Sequence, residues 1–333
     1  EYGAMKVNDS NPYFLKKIAP ALICVLLFLV LPALLPGYLQ SMFTKVLIFA
    51  LFALSLNLIW NAHMISLGHA AYFGLACYVT AILSTQHNIS NFWILLVLSI
   101  AAAIILAMIF GIIALRMSGI YFLMVTLALG QLVFFSSLAL RSITSGMNGL
   151  FGVPWPELGV ISIEWQKISF YYFTLLIFIV CAYLLYRVSI SPFGYALRGI
   201  AEDEPKMKTL GINTWLIKYG AYIISAAFAA VAGVLFTFFS GLASPLQLSI
   251  ETSTLAVLML IIGSSSVFWG PVTGAFLVIL LEYFSSVYIA ERWPMVLGIV
   301  FVCSVMFLRD GISVHIIDLW RKWILREEKI ACE

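Results

Sequence analysis

Long apolar runs with at most one charged residue each, separated by short polar breaks, fill most of the chain. They fall at 18–36, 41–60, 66–85, 92–115, 119–140, 170–187, 215–240, 253–268, 271–289 and 294–308. A helix needs about 20 apolar residues to cross the hydrocarbon core of a bilayer. Within that core each backbone polar group must be satisfied internally, so all ten runs read as helices. The pattern predicts an all-α, polytopic transmembrane domain of about ten spans, with eight also compatible. Two runs, 66–85 and 253–268, are rich in Gly, Ser or His and read as broken or re-entrant elements. The first run lacks a small-residue cleavage site and is followed almost directly by another. It therefore reads as a first membrane helix and not as a cleaved signal peptide. Met5-Lys6 is a candidate native start, which leaves Glu1 to Ala4 without a role.

Composition agrees with this pattern. Of 333 residues, 63% are hydrophobic and only 10% charged, against roughly 25% charged in soluble domains. Mean hydropathy is +1.07. The net charge of +3 gives no reason to expect nucleic acid. The five cysteines (Cys24, Cys77, Cys181, Cys303 and Cys332) are scattered, with no CxxC pair, and read as small hydrophobes rather than metal ligands. Orientation follows from the basic residues. With the N-terminus in the cytoplasm, ten spans leave Lys45, Arg141, Lys167 and Arg292 outside and the other fourteen of the 18 basic residues inside. Basic residues favour the cytoplasmic side, so both termini are expected there.

Two internal loops are long. Residues 141–169 form an external loop rich in Gly, Pro, Trp and Ser, and residues 188–214 form a cytoplasmic loop. Neither is long enough to bury a core of its own, so 1–333 reads as one membrane domain with no soluble enzyme. In the inner loop, Ser191-Pro192 is an N-cap followed by proline at the first helical position. A second short helix starts near Glu204-Pro205, capped by Asp203 or its neighbour. Acidic residues stand at its start and Lys206 and Lys208 further along, the order the helix dipole favours. Gly211 is a natural stop, and Asn213 or Thr214 caps the next span. Leu197, Ile200, Met207 and Leu210 are available for contact. Two readings stand: a docking surface for a cytoplasmic partner, or helices lying flat among lipid headgroups.

Polar residues within the spans cost energy and face a cavity or a partner. Glu282 lies about two turns from the outer end of its span, as a pathway or inter-subunit contact or as a side chain reaching the interface. His69, between Gly68 and Ala70, reads as support for a broken helix or as a substrate contact. Asn57, Thr126, Gln131, Ser264, Ser265 and Ser266 are candidates for lining a pathway, or else helix–helix hydrogen bonds. Small residues at Ser225, Ala229 and Gly233, and at Gly270 and Gly274, let helices approach closely, within the chain or between subunits. Trp60, Trp165, Trp215, Trp293 and Trp320 read as interfacial belts.

Several motifs resemble one known family. Gly194-x-x-Leu197-Arg198-x-Ile200-x-Glu202-Asp203-Glu204, followed by Leu210-Gly211-Ile212, looks like the coupling loop of branched-chain amino acid ABC importer permeases, the M-type subunit in particular. Ser66 to Gly74 (SLGHAAYFG), Tyr121 to Leu127 (YFLMVTL), Thr144-Ser145-Gly146-x-x-Gly149-Leu150 and Trp269-Gly270-Pro271-x-x-Gly274-Ala275 resemble further signatures of that family in the same order. Together they cover roughly residues 50 to 290. The resemblance implies a permease of the bacterial cytoplasmic (inner) membrane, paired with a second permease subunit. It further implies two ATPase subunits docked on the inner loop and an extracytoplasmic substrate-binding protein on the outer loop, around Gly146, Asn148, Gly149 and Trp155. ATP and Mg would sit on the ATPase subunits and no cofactor on this chain, which has no GxxxxGK[ST] phosphate loop. The chain departs from the family at Gly263-Ser264-Ser265-Ser266, where glycines are usual, and at Gln131, where an acidic residue is common. Both departures bear on selectivity. Pro205-Lys206-Met207 replaces an alanine-rich run, which bears on which ATPase fits.

Close relatives of such permeases carry urea or short amides. An ion-coupled secondary transporter is a different class, which would need matched inverted repeats; none is apparent. A membrane-embedded enzyme would need clustered His, Asp and Glu, and this chain has isolated ones.

Overall fold

The computed structural model describes residues 36–157 and 167–288, with a few positions between 295 and 313. The runs at 18–35 and most of 294–308 lie outside the described residues. The elements are α1 (Gly37–Trp60), α2 (His69–Thr85), α3 (Phe92–Ala114), α4 (Ile120–Ala139), one turn α5 (Arg141–Thr144), α6 (Lys167–Ser189), α7 (Pro192–Glu202), α8 (Glu204–Thr209), α9 (Thr214–Ser240), α10 (Ile250–Gly263) and α11 (Gly270–Tyr288). Among the described residues, α1, α3, α4, α6 and α9 are long and apolar enough to cross a membrane, and α2, α10 and α11 are shorter apolar helices.

Local chemistry sets many of these boundaries. Asn91 Oδ1 accepts from the amides of Trp93 (3.0 Å) and Ile94 (3.5 Å) and caps α3. Asn213 Oδ1 accepts from Leu216 N at 3.2 Å and caps α9. Gly241, at φ +68, ends α9 in the left-handed conformation. The two runs read as broken are indeed shorter as helices than the apolar runs. The run at 66–85 turns helical only at His69, because Ser66 Oγ takes the Gly68 amide at 3.3 Å and competes with helical bonding. The run at 253–268 starts earlier, under a Ser249 cap, and stops at Gly263, because Ser264 adopts φ +93.

α1 is apolar on every side and nearly all of it is buried, as expected of a central helix. It packs against α6, α9, α10 and α11, while α9 packs also on α2 and α3. α3 and α4 leave broad apolar faces exposed, including Ile105, Ile109, Met124, Leu132 and Phe135. Such faces suit lipid rather than water. The small-residue stripes serve contacts within the chain. A Cβ at Gly233 would collide with the Phe73 carbonyl, and one at Gly274 with that of Met259, so α9–α2 and α11–α10 meet backbone to backbone.

Among the described residues the all-α expectation meets short extended pairings at the loop end. β1 (Leu150–Phe151) pairs antiparallel with β2 (Leu242–Ala243), Leu150 opposite Ala243. Glu157 N donates to Ser90 O at 2.8 Å and Phe92 N to Glu157 O at 2.9 Å. These bonds gather residues 86–91, 140–157 and 241–243 into one loop end of the bundle. The opposite end carries α7 and α8.

Candidate functional site

The α7–α8 pair is built by its caps. Ser191 Oγ accepts from Gly194 N at 3.4 Å, with Pro192 at the first helical position. Asp203 Oδ1 accepts from Lys206 N at 3.0 Å and starts α8. Gly211, at φ +80, follows its end. The pair is tied down at three points. Gly194 lies on the end of α6 so closely that a Cβ would strike the carbonyls of Ser189 and Val188. Arg198 donates to Ser189 O at 2.7 Å. Glu204 accepts from Thr214 Oγ1 at 3.0 Å and pairs with Lys208 at 3.1 Å and Lys218 at 2.5 Å.

Electrostatics follow this geometry. Partial burial acts to raise the Glu204 pKa. The hydrogen bonds from Lys218, Lys208 and Thr214 outweigh it and hold the carboxyl down at about 2. The Lys206 side chain and amide hold the Asp203 carboxyl below its ordinary range.

One expectation is corrected here. Leu197 and Ile200 are not open for docking; both are buried, because the apolar face of α7 turns onto the bundle. The outward surface consists of exposed Tyr195, Arg198, Glu202, Lys206, Lys208 and Leu210, the last 73% exposed.

The interior candidates do not form one group. His69 Nε2 lies 2.6 Å from Ser225 Oγ, and Ser225 Oγ donates to Ser55 O at 2.6 Å. Since the hydroxyl hydrogen is committed to Ser55, His69 Nε2 carries the proton that Ser225 accepts, and Nδ1 is a buried acceptor without a partner. Tyr72 donates to Tyr222 at 2.7 Å beside it. Ala70 N donates to Ser253 Oγ at 3.0 Å, which brings the start of α10 to the start of α2. Thr126 Oγ1 donates to Leu123 O and accepts from Leu67 N, tying α4 to the break before α2. Thr126 and His69 are thus neighbours through Leu67 and Gly68. Asn57 is buried with Oδ1 unpartnered, and Gln131 is half-buried on α4.

Ser264, Ser265 and Ser266 lie in the turn before α11, with Ser264 Oγ and Ser266 Oγ 2.8 Å apart. Glu282 lies near the far end of that helix and pairs with Lys45 Nζ at 2.7 and 2.9 Å. Its partner is in the same chain, a contact that is neither with a second subunit nor at the interface alone. The sequence pattern marks Ser225 only as a small packing residue and Thr214 only as a cap, and gives Tyr222 no role. Only the position of a lysine one turn into an apolar run marked Lys218 out.

At the loop end, Gly146 (φ +60) and Gly149 (φ +73) are buried turn residues and Thr144 Oγ1 accepts from Gly146 N at 3.3 Å. Asn148 is exposed. Trp155 is 46% exposed and meets the Phe170 ring at 5.5 Å. Exposed Met147, Phe151 and Leu246 stand at the same end. Among the described residues no set of His, Cys, Asp and Glu is grouped to hold a metal ion.

Residues 38–305 match the family described as branched-chain amino acid transport system / permease component. The chain is 27% identical to the high-affinity branched-chain amino acid transport system permease protein LivM of Salmonella typhimurium, over 66% of this chain and 57% of that protein. It is 26% identical to LivM of Escherichia coli, over 71% of this chain and 61% of that protein. It is 24% identical to the permease protein LivH of Escherichia coli, over 81% and 93%. The chain thus spans about three fifths of the length of the LivM relatives it matches. No solved structure matches it. With its long apolar helices, the chain is a multi-pass protein of the bacterial inner membrane. The match spans nearly all of the described bundle, and the chain belongs to the branched-chain amino acid transport permease family.

Proposed function

We propose that this chain is the membrane permease subunit of an ATP-driven importer for branched-chain or related hydrophobic amino acids. The observation that carries the reading is the family match over residues 38–305. The α7–α8 pair, anchored to α6 and α9 with a charged outer face, is the surface on which ATPase subunits dock. ATP and Mg belong to those subunits. Arg116, Arg187, Arg198, Lys206, Lys208 and Lys218 sit at or near that end, which favours the cytoplasmic side for it, and with ten spans both termini lie inside. The chain is one membrane domain, with 141–169 external and 188–214 cytoplasmic. Likeness to both LivM and LivH supports a paralogous second permease as partner. The loop end, with Gly146, Asn148, Gly149 and Trp155, receives an extracytoplasmic substrate-binding protein.

The test is affinity purification of the tagged full chain from its native membranes in mild detergent, with mass spectrometry. Recovery of ATPase chains and a second permease is expected. Repeated purification of the chain alone, with transport intact, would end the importer reading.

A further inference from the structure

α9 runs unbroken for 27 residues, about 40 Å of helix. Lys218, Tyr222, Ser225 and Ala229 follow one another at spacings of four, three and four, so they share one face. At one end of that face Lys218, partly buried at 14% side-chain exposure, meets Glu204 of α8. One turn on, Tyr222 accepts from Tyr72. The next turn holds Ser225, bonded to His69 and to Ser55 of α1. His69 opens α2 directly after the non-helical break, and the break is bonded to α4 through Leu67 and Thr126. One rigid helix face thus joins the α7–α8 pair to the place where the transmembrane helices are discontinuous.

We propose that Glu204 is a positioning residue whose clamp on Lys218 and Thr214 transmits movement of the α7–α8 pair to α9, and through the Ser225–His69 contact to the break before α2. The inference rests on the importer reading and deepens it. α7 is held separately, through Gly194 and Arg198 on α6. Loss of the Glu204 clamp therefore leaves α7 in place on α6 and disconnects α8 from α9. Two packed arrangements of α9 against α2 are what such a link would select between.

The experiment uses the complex purified from native membranes and reconstituted in vesicles, with ATP hydrolysis and leucine uptake measured on the same preparation. Lys218→Gln is expected to keep hydrolysis within about twofold of the unaltered complex, and Glu204→Gln and Lys218→Gln are each expected to lower uptake per ATP about tenfold or more. Lys218→Arg, which keeps the charge, is expected to keep the ratio, and the exchanged pair Glu204→Lys with Lys218→Glu to recover most of it. An unchanged ratio in the Gln variants would overturn the clamp, and so would parallel loss of hydrolysis and uptake with loss of bound ATPase chains. If either Gln variant fails to insert, Thr214→Val decides: a lowered ratio supports the clamp and an unaltered one overturns it. Failure of the importer reading looks different, since the unaltered complex would then show no uptake coupled to hydrolysis.

Discussion

Lys45 Nζ on α1 lies 2.7 and 2.9 Å from the two carboxylate oxygens of Glu282 on α11, in residues 237 positions apart. Both side chains are partly exposed, 29% and 21%. The bidentate contact pins the far end of α11 to the central helix. Glu282→Gln removes the charge and leaves Lys45 half-buried and unpaired, at a cost of about 1–3 kcal/mol. The expected outcome is a lower melting temperature in detergent, with most of the loss recovered when Glu282→Lys is combined with Lys45→Glu. Equal stability of Glu282→Gln and the native chain would show that the pair contributes nothing measurable.

Ser264 occupies φ +93, where a side chain is strained and glycine is not. Its hydroxyl, 2.8 Å from that of Ser266, accepts from the Ser266 amide at 3.4 Å and partly offsets the strain. Ser264→Gly relieves the strain and gives up those contacts, for a net gain of about 1 kcal/mol. Ser264→Ala gives up the contacts and keeps the strain, and should lose about as much. Thermal unfolding of both variants in one detergent tests the pair, and the same sign for both would remove the strain account.

Gly194→Ala places a methyl group against the carbonyls of Ser189 and Val188 and must lift α7 from the end of α6. The variant should insert normally yet lose most partner ATPase recovery and transport. Glu202→Ala is its contrast. Glu202 is exposed on the outer face. Its removal should leave the unfolding free energy within about 0.5 kcal/mol of native and reduce ATPase recovery alone. Normal recovery with both variants would dissociate this surface from partner docking.

The Glu204 carboxyl is held at about 2 against an ordinary 4.5. A depressed carboxylate contributes stability above its unfolded pKa and loses it as pH falls through the folded one. The anchoring of α8 to α9 should therefore be intact above about pH 4.5 and weaken progressively toward pH 2. Protease nicking within 189–213, measured with an acid-active protease, is expected to rise across that window. Glu204→Gln should be nicked readily at every pH, and a native profile for that variant would reject the assignment.

What could be read from the chain itself was what is local to it. Ser191, Asp203, Gly211 and Asn213 end or start helices where their side chains and neighbours dictate, because a cap reaches only three residues along the backbone. The weak helical character of 66–68 and 264–268 was likewise written in serine and glycine. The amphipathic face of α7 was legible as a face, but not what covers it: Leu197 and Ile200 turn onto this same bundle rather than toward a partner. Contacts between distant residues left no mark. Nothing near Glu282 in sequence points to Lys45, and nothing near His69 points to Ser225. In an all-apolar helix such as α1 the usual periodicity is also missing, so the side facing each neighbour could not be assigned.

The Ser225 hydroxyl accepts from His69 and donates to Ser55 O, so one oxygen joins α9 to both α2 and α1. Ser225→Ala leaves the His69 Nε2 proton without a partner in a fully buried place, at a cost of about 1–3 kcal/mol, while Ser55 O keeps its helical bond within α1. Ser225→Thr keeps the hydroxyl but adds a methyl to a face that is buried completely, so it should fold less well than native and better than Ala if the hydrogen bonds outweigh the crowding. His69→Gln offers an amide donor toward Ser225 and should lose less stability than His69→Leu, which offers none. Melting temperatures of the four variants order the two effects. Ala ranking above Thr, together with Leu ranking above Gln, would mean that packing rather than this bonded chain holds the three helices together.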